Sequence, residues 1–139
     1  MAAYVKFELG IEKMLEAGNM QTDSWSVILS NTAPNVATAT NAASVSELAT
    51  SGGYTAGGNA CTVSSATSTG GVYKLVLNDP ATWTATGGGF TFRYVILYNV
   101  TLAQCIGYWD YGSSVVMSGT NGDTFTADLD QVNGVFTVS

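Results

Sequence analysis

Few residues of this chain have the chemistry to act on a substrate. It contains no histidine, which excludes Ser-His-Asp and Cys-His nucleophiles and histidine-ligated zinc. A lysine-activated serine would need Ser-x-x-Lys, which does not occur. Cys61 and Cys105 are too few for a structural zinc site. Each lies in an apolar strand pattern, where a cysteine behaves as a small buried hydrophobe, so free thiols are expected rather than a disulfide.

Carboxylates remain. Asp123, Asp128 and Asp130, with Asn121 nearby, form the most suggestive group. Asp128 and Asp130 would share one strand face, as a calcium site requires. The run Asn121-Gly122-Asp123-Thr124-Phe125 nevertheless lacks the helix-loop-helix calcium spacing, and the group reads as an exposed polar face. A glycosidase needs two facing carboxylates. Glu47, Asp79 and Asp110 are candidates, and no spacing joins any two of them. Trp25, Trp83 and Trp109 could stack sugars, yet each sits in a strand pattern and suits a core. The glycine pairs are not followed by a helix bearing Lys-Ser/Thr, so they form no phosphate loop. The expectation is a protein that is not an enzyme, with no catalytic residue, no cofactor and no metal.

Charge and hydropathy narrow the class further. The 139 residues carry ten acidic and four basic side chains, a net charge of −6. Lys6, Lys13, Lys74 and Arg93 are scattered, whereas nucleic-acid affinity needs them clustered. Only 10% of residues are charged and 46% are hydrophobic, the reverse of a disordered composition. The longest apolar run, about Tyr94 to Tyr98, is far too short for a membrane-spanning helix. The N-terminus has no apolar run and soon carries Glu8, Glu12 and Glu16, so no secretory leader is expected. A soluble protein made in a cytosol, with neither nucleic acid nor membrane as partner, is the expectation.

The elements that must position these residues follow from period and punctuation. Leu9, Ile11, Met14 and Leu15 recur at helical spacing between Val5 and Ala17, beside the i, i+4 column Glu8, Glu12 and Glu16. The column reads as the solvated face of a helix within residues 1–18, closed by a left-handed cap at Gly18-Asn19. From residue 24 the period falls to two. Trp25, Val27 and Leu29 alternate with serines as a half-buried strand, and Pro34 lies in the break that follows. Val36 to Thr50 reads as a loop with one short helical turn near Val45 to Ala49. Gly52-Gly53 and Gly57-Gly58 bracket a tight excursion needing positive φ at both ends.

Further strands are expected at 60–65, 72–78, near Trp83, and at 90–99, 104–111, 114–118, 124–130 and 135–139. Glycine- and asparagine-rich turns separate them. The chain therefore reads as one mainly β domain over residues 1–139: an antiparallel β-sandwich, jelly-roll-like, over 24–139, preceded by a short N-terminal α-helix. Strict alternation puts Phe90, Phe92, Tyr94, Ile96 and Tyr98 on one strand face, with Arg93, Val95 and Leu97 on the other. It also groups Cys105 with Trp109 and Tyr111, opposite Ile106 and Tyr108. A strand apolar on both faces is covered twice or lies at an interface. The surplus of aromatics suggests contact with protein partners, and Tyr4, Phe7, Ile11, Tyr54, Tyr98, Tyr108, Trp109 and Tyr111 are the candidate contact residues.

Several blocks resemble a group of small virion proteins of tailed phages. Trp25-Ser26-Val27-Ile28-Leu29-Ser30-Asn31-Thr32-Ala33-Pro34 is similar to their first strand. Gly53-Tyr54-Thr55-Ala56-Gly57-Gly58, Trp83-Thr84-Ala85 and Phe92-Arg93-Tyr94-Val95-Ile96-Leu97-Tyr98 follow in order. Ile106-Gly107-Tyr108-Trp109-Asp110-Tyr111-Gly112, Asp123-Thr124-Phe125-Thr126-Ala127-Asp128 and Gly134-Val135-Phe136-Thr137-Val138 complete the series. The resemblance implies a structural virion protein of a double-stranded DNA phage that decorates and cements the outer capsid. Its partners would be the major capsid protein and further copies of itself, as a dimer or trimer. Met1 to Gly18 and the Val36 to Thr50 loop would make the contacts. The same resemblance also admits a tail-associated or receptor- or carbohydrate-binding module. No catalytic residue is carried over.

Overall fold

The computed structural model describes residues 3–139; Met1 and Ala2, the first residues of the expected 1–18 helical segment, lie outside them. In chain order the elements are β1 (Tyr4–Lys6), α1 (Glu8–Ala17), β2 (Trp25–Ser30), a 3-10 turn (Ala43–Val45), β3 (Asn59–Cys61), β4 (Val63–Thr69), β5 (Val72–Leu77), β6 (Trp83–Thr84), β7 (Phe90–Asn99), β8 (Gln104–Met117), β9 (Thr124–Phe125) and β10 (Phe136–Val138). Every strand pairing among them is antiparallel. A five-stranded sheet runs β1-β8-β7-β2-β3, a three-stranded sheet β10-β5-β4, and β6 pairs with β9. The fold is mainly β, with antiparallel sheets and one short N-terminal helix.

The N-terminus departs from the expected helix. Tyr4–Lys6 is a strand, with Tyr4 opposite Trp109 and Lys6 opposite Gly107. Three residues gain little from one helical turn, whereas β8 offers them a ready ladder and an aromatic neighbour. The Tyr4 and Trp109 rings lie 4.6 Å apart, and a Cβ on Gly107 would collide with the Tyr4 ring. The helix starts at Glu8, buries Gly10 and Met14, and leaves Glu8, Glu12, Glu16 and Leu15 exposed. A Cβ on Gly10 would stand 2.5 Å from the Cys105 carbonyl oxygen, so α1 seats directly on β8. Gly18 is not left-handed: φ is −74° and ψ 146°, and its N–H donates to the Met14 carbonyl at 3.0 Å. A Cβ there would meet the Met14 side chain at 2.5 Å, so space rather than handedness requires glycine.

Two register shifts redistribute the strand faces. Phe92 faces Val115 while Tyr94 faces Asp110, so β8 carries three extra residues at the step beside Arg93. Leu97 faces Gly107 but Tyr98 faces Cys105, which leaves Ile106 as a second bulge. Each bulge resets the alternation. Phe90 and Phe92 therefore join Val95, Leu97, Ile106 and Trp109 in the main core, while Tyr94, Ile96, Cys105, Tyr98 and Tyr108 belong to a second cluster. Strict alternation had grouped them otherwise. The expected strands at 104–111 and 114–118 are one element, β8, and the strand expected at 124–130 is paired only at Thr124–Phe125.

The main core joins one face of the five-stranded sheet to the three-stranded sheet through Val27, Leu29, Phe92, Leu75, Leu77 and Phe136, with Trp25, Trp83 and Tyr54 among them. The second face holds Phe7, Ile28, Ile96 and Cys105, and Ala39 and Val45 of the loop after β2 cover it. Leaving Ile28 and Ile96 bare would cost about 1.5–3 kcal/mol each. The loop is stitched down by Glu8 N–H to the Val36 carbonyl (2.9 Å), Cys105 N–H to the Thr40 carbonyl (2.6 Å) and Ser30 Oγ to the Val45 carbonyl (2.7 Å). The central sheet is thus covered twice by its own chain. The helical turn expected near Val45 to Ala49 lies earlier, at Ala43–Val45.

Candidate interaction surface

The loop at residues 52–58 anchors a polar triad below the sheet edge. Gly52, Gly53, Gly57 and Gly58 all have positive φ (60°, 103°, 98° and 67°), as their spacing predicted. They bring Tyr54 inward, where its hydroxyl accepts from Leu29 N–H at 3.1 Å and donates to Glu47 Oε1 at 2.7 Å. Glu47 Oε1 also accepts from Gly57 N–H at 2.5 Å. Burial pushes the Tyr54 phenol well above its ordinary pKa. Glu47 is therefore committed to the fold.

Asp110, Asp79, Asp123 and Asp130 are similarly engaged, whereas Asp128 is exposed and makes no side-chain hydrogen bond among the described residues. Asp110 accepts from Arg93 Nε at 2.7 Å, Arg93 Nη2 at 3.0 Å and Gly112 N–H at 2.7 Å. These donors hold its carboxyl below the usual range, the arginine contributing most, and the pairing raises the Arg93 guanidinium. Asp79 Oδ1 accepts from Leu129 N–H at 2.7 Å and Gln131 Nε2 at 2.8 Å. Glu47, Asp79 and Asp110 thus belong to three separate networks. Asp123 accepts from Ser118 N–H, and Asp130 caps Val132 and Asn133, which lower its pKa, Asn133 N–H most. Among the described residues no three His, Cys, Asp or Glu side chains gather where a metal ion could sit. Cys61 and Cys105 are free and buried, in different clusters. Burial pushes both thiols up to about 12.

The eight candidate contact residues divide by burial. Phe7, Tyr54 and Trp109 are interior (0%, 1% and 6% exposed), so they present no surface to a partner. Phe7 packs against Tyr108 (5.6 Å between centroids), and Tyr54 packs against Trp83 and Phe90. Their aromatic bulk fills the interior, which composition alone does not distinguish from a contact surface. Trp25 and Trp83 are buried as well, leaving no tryptophan face for a sugar. Tyr4 and Ile11 are half-buried against the main core, with the Tyr4 phenol raised by burial. Tyr98 and Tyr108 are half-buried at the margin of the second cluster. Tyr111 is exposed on the other side, edge-on to Phe92 and Phe125.

The structure brings together one patch that contains a candidate residue. On the second face Val5 pairs with Tyr108, Tyr108 with Ile96, and Asp110 with Tyr94. Arg93 bridges to Asp110 and stacks over Tyr94 with its guanidinium 5.2 Å from the ring centroid. Val5, Tyr108, Arg93 and Asp110 reach the surface there. Sequence reasoning did not put Val5, Arg93 and Asp110 on a contact surface: Val5 comes there through the β1–β8 ladder, and the bulge that brings Arg93 to Asp110 is not marked by the period. It also missed the open sheet edges. β1 and β3 bound the five-stranded sheet, and β10 and β4 the three-stranded one. On the outer face of the latter, Thr67, Thr69, Val72, Lys74, Asn133 and Thr137 line a shallow depression of about 470 Å³.

Comparison with protein-family models, with curated proteins and with solved structures found no match to this chain.

Proposed function

We propose that this chain is a structural binding protein of a tailed-phage virion, a decoration protein that stabilises the outer capsid by gripping the major capsid protein. The observation that carries the reading is the state of its chemistry-bearing side chains. Glu47, Asp79, Asp110, Asp123 and Asp130 are occupied as anchors of turns and sheet edges. Both cysteines are buried with protonated thiols. A protein that binds rather than transforms has no need to keep such groups free, and we read it as not an enzyme. The ordered resemblance to small phage virion proteins supplies the partner. The net charge of −6 favours the outer shell over the side facing packaged DNA.

The contact surface on this reading is the patch of Val5, Tyr108, Arg93 and Asp110, with Tyr98 beside the covering loop. Tyrosine and arginine are the residue types that concentrate binding energy at interfaces. We further read the five-stranded and three-stranded sheets as the two layers of a jelly-roll-like sandwich. Val27 and Leu29 of one sheet sharing a core with Leu75 and Leu77 of the other supports that reading.

Copy number per virion, measured by gel densitometry, tests the role. Hundreds of copies are expected, and a handful would favour the tail-associated alternative. Tyr108→Ala should lower occupancy on expanded capsids at least tenfold while the fold persists. Full occupancy would overturn the assignment of the patch. Deleting residues 1–18 is unsuited to this purpose, since it removes β1 and Phe7 from the fold.

A further inference from the structure

The four edges of the two larger sheets are not equally protected. β1, β3 and β10 are three residues each, β1 carries Lys6, and Lys6 also lies over Phe136 of β10, 5.6 Å from its ring. Short strands and lysines are the devices that keep edges from pairing with other chains. β4 has neither. Its seven residues, Val63-Ser64-Ser65-Ala66-Thr67-Ser68-Thr69, contain no charge and no proline.

The β4–β5 hairpin fixes which peptide groups are free. Gly70 and Gly71, with φ of 61° and 82°, form a two-residue turn closed by the Thr69–Val72 pair. Hydrogen-bonded pairs then alternate, so Thr69 and Thr67 bond to β5 while Ala66 and Ser68 turn their N–H and C=O groups to the open edge. No loop or turn backbone among the described residues takes them up.

We propose that a second copy of this chain occupies this edge, its β4 antiparallel to the first across a two-fold axis at Thr67. Ala66 would exchange both backbone bonds with the partner's Ser68, and Ser68 with the partner's Ala66, joining two three-stranded sheets into one of six. A second copy fits for three reasons. Antiparallel pairing of a strand with itself is self-complementary under a two-fold axis. On the outer face the pairing sets Thr67 against Thr67 and Ser65 against Thr69, hydroxyl pairs that favour cross-strand contact. Like charge does not oppose it at the seam, for the nearest charge is Lys74, opposite Thr67 on β5. Two copies of Lys74 would stand three strand spacings apart, about 14 Å, beyond the Debye length of about 8 Å. The inference takes the homo-oligomer of the virion reading to a named strand. Its test uses the purified chain alone, so its failure is distinguishable from failure of shell binding.

Analytical ultracentrifugation of the full chain at micromolar concentration is expected to give a dimer. Thr67→Glu keeps a cross-strand partner in Lys74 within each copy but sets two carboxylates face to face across the axis. It should weaken association at least tenfold with an unchanged far-ultraviolet spectrum. Thr67→Cys reads the register directly. Two cysteines at a non-hydrogen-bonded pair have Cα atoms about 4.5 Å apart, within disulfide reach. With oxidised glutathione as electron acceptor a covalent dimer should form, whereas Ser65→Cys should give none. A wild-type monomer, including one whose edge takes a strand from another protein, overturns the proposal. So does a dimer that Thr67→Glu leaves intact, or one that cross-links at residue 65 instead of 67.

Discussion

Arg93 holds both carboxylate oxygens of Asp110, Nε to Oδ1 at 2.7 Å and Nη2 to Oδ2 at 3.0 Å, across the step where β8 gains three residues on β7. The pair locks the bulge that resets both strand faces. Because its donors depress the Asp110 pKa, the carboxylate stabilises the fold above its unfolded value of about 3.9. That contribution is lost as pH falls through the lower folded value. Asp110→Asn should therefore be less stable than wild type at neutral pH, and the two urea midpoints should converge under acid conditions. A constant difference at all pH would refute the role given to the ion pair.

Tyr54→Phe should destabilise by about 1–3 kcal/mol, because it leaves the buried Leu29 N–H without an acceptor. Glu47→Gln should cost less, since its amide oxygen still accepts from Tyr54 and Gly57. Chemical denaturation of both variants measures the order. Equal losses would mean that the carboxylate, not the phenol, anchors the edge.

Phe7→Ala should cost about 3–5 kcal/mol, the range for emptying a fully buried aromatic site. Thermal and urea unfolding read this. A variant of wild-type stability would return Phe7 to the surface, where it was first expected.

Both thiols should resist labelling by an aromatic disulfide reagent at pH 8 in the native protein and react fully in guanidinium chloride. With pKa values of about 12, about one thiol in ten thousand is ionised at pH 8, against roughly a quarter for a free cysteine. The sign of the alkaline effect follows. The unfolded thiols ionise first, so their contribution is complete below about pH 8.5 and stability declines as pH rises toward 12. Rapid native labelling of two equivalents would contradict the burial of Cys61 and Cys105.

Much of the secondary structure was legible residue by residue. Trp25, Val27 and Leu29 announce β2 by alternation, and the glycine pairs at 52–53 and 57–58 announce their backbone by chemistry, since only glycine adopts such φ freely. What escaped depends on distant partners. Nothing near Tyr4 says that β8 will draw it into a strand. Nothing near Arg93 says that the opposite strand carries extra residues, nor near Ile106 that its own strand does, and a single bulge inverts every face assignment beyond it.

The candidate site divides in the same way. The sequence by itself determined the kind of protein: histidine-free, acidic, sparsely charged, rich in short strands and aromatics, because composition and period are local properties. Only the tertiary structure decided which aromatics are spent inside. Phe7, Tyr54 and Trp109 vanish into the core, while Tyr108 and Tyr111 keep a face in solvent. It also decided that the Val36 to Thr50 loop folds through Ala39 and Val45 onto Ile28 and Ile96. Burial is a property of where surfaces meet, and long-range pairing sets those meetings after local propensity has chosen the strands.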